Sequence, residues 1–206
     1  MKYSSKMEEL LEILQSNNTK FKEKTIESIN WYRQKIRALY KDVYIDHKKI
    51  LDKNLPNKNI PSVGSMITFE YYPKYSKDKK VLPYYDRYPL VLILSPIKNG
   101  CFSGLNFHYL HPIERANIMS ELYKYESIDK ETKESTINIS LDSSIKLKKY
   151  KKLIKRYNVN YIKRSVYKLK SYEWNIMLFL PTEKFFGENK QKVWSDSRNI
   201  IYDKRK

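Results

Sequence analysis

The chain is poor in the residues that usually mark crosslinking or chemistry. It holds a single cysteine, Cys101, which excludes an intramolecular disulfide framework and a zinc site built from several thiolates. Its four glycines, Gly64, Gly100, Gly104 and Gly187, are too scattered to form a phosphate-cradling loop. Of three histidines, His47 stands alone, while His108 and His111 could share one helical turn. No third ligand of suitable type lies near that pair in sequence, so the histidines read as structural and no metal is expected. No apolar run approaches the ~20 residues needed to span a bilayer, and no membrane partner is expected. The opening stretch, MKYSSKMEELLEIL, is charged throughout and unlike a signal peptide. A protein made and kept in a reducing cytoplasm is the expectation. Acidic clusters are sparse too: Glu8–Glu9 and the group Asp129, Glu131 and Glu134 lack Lys or His partners at suggestive spacing. No G-x-S-x-G, H-E-x-x-H or kinase-like set occurs. The expectation is therefore no enzymatic activity, no cofactor and no small-molecule substrate.

Positive charge and tyrosine are abundant. Across 206 residues there are 41 Lys+Arg against 23 Asp+Glu, a formal charge of +18, together with 19 Tyr. That many aromatics mark a chain that folds. The charge is also concentrated. No acid occurs between Asp142 and Glu173, a gap that contains Lys146, Lys148, Lys149, Lys151, Lys152, Lys155, Arg156, Lys163, Arg164, Lys168 and Lys170. Tyr150, Tyr157, Tyr161 and Tyr167 are interleaved with them. Compositional drift would have spread these 11 cations along the chain. Long cations that track phosphates, with rings to meet unpaired bases, make these residues the candidate nucleic-acid contacts. The same pattern also suits a solvated surface or a patch matched to an acidic protein. Nothing specifies base reading, so the expected partner is DNA bound without sequence preference. Ile145, Leu147, Leu153, Ile154, Val159, Ile162, Val166 and Leu169 give the segment an apolar side, so it is not a bare tail.

The pattern of apolar spacing predicts an α+β chain. Residues 5–54 carry three- and four-residue spacing and read as N-terminal helices. Pro56 to Pro61 is a loop by composition. Val63–Tyr72, Tyr88–Ser95 and Cys101–Leu110 read as strands, with an Asn99–Gly100 hairpin signal between the last two. Three strands joined by short turns suggest a small SH3-like antiparallel β-barrel. Residues 112–126 return to helical spacing behind Pro112. Residues 127–145 read as a loop, Glu173 to Leu180 as a helical turn or a strand, and the stretch with Trp194 and Arg198 as a last helix. The expected organisation is a helical segment over 1–55, an SH3-like β core with its following helix over 61–126, and a basic, α-rich C-terminal segment over 127–206 packed on the core.

Two resemblances follow from particular phrases. Asp86-Arg87-Tyr88-Pro89 with Leu90–Ser95 resembles the Arg-Pro-aliphatic-Ser element of SH3-like toxin endoribonucleases of the MazF kind. A Tyr separates Arg87 from Pro89 and the downstream pattern is missing, so the likeness supports the barrel more than the activity. The wider set is Gly64–Tyr71, Leu82-Pro83-Tyr84-Tyr85-Asp86-Arg87-Tyr88-Pro89-Leu90, Gly104–Leu110, Trp174, Leu180–Glu183 and Val193–Ser197, with Ile29–Arg33 upstream. This set resembles a family of small proteins of contractile-tailed bacteriophages described as DNA end protectors or head-completion proteins. The resemblance implies a non-enzymatic virion protein that binds or lies next to DNA at the head, neck or tail. Its partners would be DNA and other phage structural proteins, and its location the host cytoplasm during assembly, then the virion. A purely architectural neck or baseplate connector fits the same residues. In the central turn, Asp86 is placed to accept backbone hydrogen bonds, and Arg87 to pair with it or face a phosphate. Asn106 and His108 would share one strand face, so Asp86, Arg87, Asn106 and His108 form a candidate structural or docking cluster.

Overall fold

The computed structural model describes residues 60–131, 134–139, 150, 153–163 and 166–202. The helices expected over 5–54 lie outside the described residues. The body is a mixed α/β arrangement around a five-stranded antiparallel sheet. Its strands are β1 (Met66–Thr68), β3 (Leu90–Ile93), β4 (Cys101–Asn106), β7 (Ile154–Asn158) and β8 (Tyr167–Lys168), in the spatial order β7-β4-β3-β1-β8. A short ribbon pairs β2 (Tyr85–Asp86) with β9 (Phe185–Phe186), and a hairpin pairs β5 (Glu126–Ile128) with β6 (Ser135–Ile137). The helices are α1 (Pro112–Leu122), α2 (Ser171–Phe179) and α3 (Lys190–Tyr202).

The unbroken aliphatic run of β3 has a direct cause. Leu90 and Leu92 point into one core with Leu105, Phe107, Ile118, Trp174 and Leu178. Val91 and Ile93 point into another with Ile67, Phe69, Phe102, Tyr157 and Ile162. A strand covered on both faces has no polar position to alternate with. The β3–β4 connection turns at Asn99 and Gly100, both with positive φ (52° and 69°), and Lys98 and Cys101 exchange backbone hydrogen bonds across it. That is the mirror-image turn the Asn-Gly pair favours. Pro112 starts α1 behind a His111 N-cap, as its missing N–H allows.

Several expectations need correction. The third strand ends at Asn106, not Leu110: the Asn106 side chain accepts the His108 backbone N–H at 2.9 Å and turns residues Phe107–Tyr109 into a 3-10 helix. Residues 127–145 are not all loop, because β5 and β6 fall there. β5 is largely exposed, with only Ile137 of the facing strand fully buried, so no apolar run announced it. The expected α-rich character of the C-terminal part is tempered by β7 and β8, which take both outer positions of the central sheet. Among the described residues that sheet is open, with no hydrogen-bonded closure between β7 and β8.

Candidate nucleic-acid interface

The sheet and ribbon bring Asp86, Asn106 and His108 together in the interior. Asp86 Oδ2 lies 2.8 Å from His108 Nδ1 and accepts from Asn106 Nδ2 at 3.3 Å. Its Oδ1 accepts the backbone N–H groups of Tyr88 and Lys184 at 3.2 and 3.4 Å. Asn106 Nδ2 also donates to the Tyr157 hydroxyl at 3.1 Å, and His108 Nε2 meets Thr182 Oγ1 at 3.1 Å. Burial pushes the Tyr157 phenol well above its ordinary value, helped by Tyr109 and Asp86. Hydroxyl, imidazole and carboxylate thus stand in the order used by nucleophilic hydrolases. Thr182, His108 and Asp86 are each at most 3 % exposed, however. A substrate has no path to the hydroxyl, and the chain of bonds acts as a lock between ribbon, sheet and the segment before β9.

Beside it sits a fully buried arginine that the sequence did not single out. Arg115 of α1 donates to the carbonyls of Leu110 (2.8 Å) and Leu178 (3.1 Å) and to Glu183 Oε2 (3.3 Å). Burial lowers its affinity for the proton, and Glu183 opposes that. For Glu183, burial pushes the carboxyl up, but Arg115, with His108 and Lys190, outweighs it and leaves the group below its ordinary value. The pair ties α1 to the α2 end and the following loop.

Arg87 does not pair with Asp86. It points to the other side of the ribbon, donating to Glu70 Oε1 through its terminal and ε nitrogens at 3.0 and 3.3 Å, with its guanidinium over the Tyr72 ring. Glu70 also accepts from the hydroxyls of Tyr72 and Tyr88.

The basic segment is only partly described: Lys146, Lys148, Lys149, Lys151, Lys152 and Arg164 lie outside the described residues. Arg156, Lys163 and Lys170 are exposed. Lys155 instead turns inward opposite Gly104, its ammonium 4.4 Å from the Tyr109 ring centroid, and burial lowers its pKa. Lys168 is ion-paired with Glu134. Among the described residues, no group of three or more His, Cys, Asp or Glu is arranged to hold a metal ion. A groove of about 520 Å³ between α1 and α3 is lined by His111, Trp194, Arg198 and Tyr202, but also by Glu114. Among the described residues Glu114 Oε2 is buried without a hydrogen-bond partner, which disfavours a phosphate there.

Tyr150 and Tyr157, expected as rings for unpaired bases, are instead buried in the core at 5 % and 4 % exposure; Glu70 and Thr182, not singled out from the sequence, meet the cluster across long chain separations. Thr182 stands in the Leu180–Glu183 phrase that supported the family resemblance, which was its one signal.

Fold and surfaces together define a basic, mixed α/β protein with buried ionic ties such as Asp86–His108 and Arg115–Glu183, and with exposed cations such as Arg156, Lys163 and Lys170. The model of the phage T4 terminal DNA protecting protein family matches residues 1–199, and the chain belongs to that family. The resemblance read from the phrases at 64–71, 82–90 and 104–110 holds, and membership makes this a phage protein associated with DNA. Searches of curated proteins and of solved structures gave no match.

Proposed function

We propose that the chain is a non-enzymatic virion protein that binds the ends of phage DNA without sequence preference and shields them at the head–neck–tail region. The observation that carries this reading is the acid-free run from 143 to 172 in a member of a terminal DNA protecting family. Phosphate contact by such a run releases counterions, so affinity falls steeply with salt. The exposed Arg156, Lys163 and Lys170 belong to the same run. Its partners on this reading are DNA and other phage structural proteins, in the infected cell during assembly and then in the particle.

We also read the sheet as the frame of an SH3-like barrel. Support comes from the order β7-β4-β3-β1-β8, from the 3-10 turn Val159–Tyr161 between β7 and β8, and from the bridge Tyr71–Ile162 that curls the β1 extension toward that turn. The exposed Arg156 and Lys163 stand on β7 and just after that turn.

The test is a gel-shift titration with Lys148, Lys149, Lys151 and Lys152 changed together to Glu. DNA binding is expected to be abolished and the salt dependence flattened. Unchanged affinity contradicts the assignment. Incubation of the same DNA with magnesium or manganese is expected to leave it uncut; cleavage lost on Arg87→Ala would overturn the non-enzymatic reading.

A further inference from the structure

The outer side of the β2–β9 ribbon carries an arrangement that the buried lock does not use. Four backbone segments lie side by side there. The Arg87 N–H donates to Lys184 O at 2.8 Å and the Tyr71 N–H to Arg87 O at 2.9 Å. The Tyr72 N–H donates to Tyr161 O at 3.0 Å and the Lys163 N–H to Glu70 O at 3.0 Å. In β2 and β9, Tyr85 pairs with Phe186 and Asp86 with Phe185. Since neighbours along a strand alternate between faces, the inward Asp86 and Phe185 leave Tyr85, Arg87, Lys184 and Phe186 on the opposite side. Phe185 does pack inward, on the Tyr109 ring at 5.2 Å.

That opposite side is aromatic and cationic. Phe186 is 41 % exposed and stacks on Tyr85, with ring centroids 5.6 Å apart and planes 13° apart. The Arg87 guanidinium and the Lys184 ammonium lie 5.5 and 5.8 Å from the Phe186 centroid, and the Lys163 ammonium 5.9 Å from that of Tyr72. Glu70 is the acid of this face, and Arg87 already neutralises it. Neither Lys163 nor Lys184 makes an ion pair among the described residues, and both are exposed. Rigid rings flanked by unpaired cations suit a nucleotide that has left its duplex: a base stacks on the ring while its phosphate takes the lysines. A paired base inside a duplex offers no free face to stack on.

We propose that Phe186 and Tyr72, with Lys163, Lys184 and Arg87, form a stacking site for an unpaired nucleotide at the terminus of a DNA strand. The proposal rests on the DNA-end reading above and adds to it where the end sits. Lys163 and Lys184 hold the phosphates, Phe186 takes the base, and Arg87 bridges the two rings.

The probe is a short duplex with one unpaired 3′ 2-aminopurine, titrated with the whole 206-residue chain. Stacking on Phe186 is expected to quench the probe, whereas 2-aminopurine placed inside the duplex should not respond. Phe186→Leu keeps an apolar contact for Tyr85 but removes the stacking face. It should abolish the quench and weaken binding to this end about tenfold or more, with binding to a covalently closed circle unchanged. The pair Lys163→Glu and Lys184→Glu should weaken binding to the end and lower its salt slope. Quenching that persists in Phe186→Leu, or equal losses on end and circle, overturns the stacking site while leaving DNA binding in place. Failure of the unaltered chain to bind any DNA overturns both this site and the function proposed above.

Discussion

At the residue scale, polar side chains that face inward tie separate parts of the chain together. Asp86 accepts from four groups on three parts of the chain, and such a carboxylate cannot be removed without stranding its donors. Asp86→Ala is expected to cost on the order of 1–3 kcal/mol, seen as a clear fall in melting temperature, while the folded protein keeps its DNA affinity. Unchanged melting with lost binding would mean that the cluster is a docking site. Glu183 offers a pH test. Its carboxyl is held below its ordinary value of 4.5 in the fold. Its contribution to stability is therefore present above that ordinary value and is lost as pH falls through the lowered one. Glu183→Gln should be less stable than the parent at neutral pH, with the gap narrowing as both are acidified below about pH 4. Melting curves across pH check this, and a gap that widens on acidification contradicts it. Asp86, Asn106 and His108 were read as neighbours from a turn and strand alternation, but it is the 3-10 turn after Asn106, not alternation, that carries His108 to Asp86. Arg87 was legible as a residue of interest, but its Glu70 partner was not: nothing in a local phrase indicates which distant acid an arginine will find.

At the scale of elements, the sequence was informative where a pattern had one physical cause. The aliphatic run at 90–93 and the Asn99–Gly100 turn were such cases. It was silent for the β5–β6 hairpin, whose exposed first strand buries too little to leave a period. It was ambiguous for α2, where Glu173, Trp174, Met177 and Leu178 are all nearly fully buried. The C-terminal segment was expected to be α-rich, but its described residues Ile154–Asn158 and Tyr167–Lys168 pair as strands with β4 and β1, contacts that no local pattern indicates. Gly104 shows how tightly those strands meet. A Cβ there would collide with the Val91 side chain and sit 2.8 Å from Leu92 O. Gly104→Ala must push β3 and β4 apart, and a loss of about 1–3 kcal/mol is expected from such overpacking. Denaturant unfolding measures it, and a stability equal to the parent's would show that the strand pair gives way freely.

At the scale of the whole molecule, charge and family membership point the same way. A chain of net charge +18 attracts any polyanion, so affinity for DNA alone does not separate an end protector from a generic basic protein. End protection requires more: a preference for the ends of DNA. The most direct measurement is competition. A labelled linear duplex is bound by the protein and challenged, at matched nucleotide concentration and fixed salt, with the same sequence as a covalently closed circle or as short linear fragments. The fragments are expected to displace the label in proportion to their number of ends, and the circle to compete poorly. Equal competition by circle and fragments, nucleotide for nucleotide, would contradict that preference.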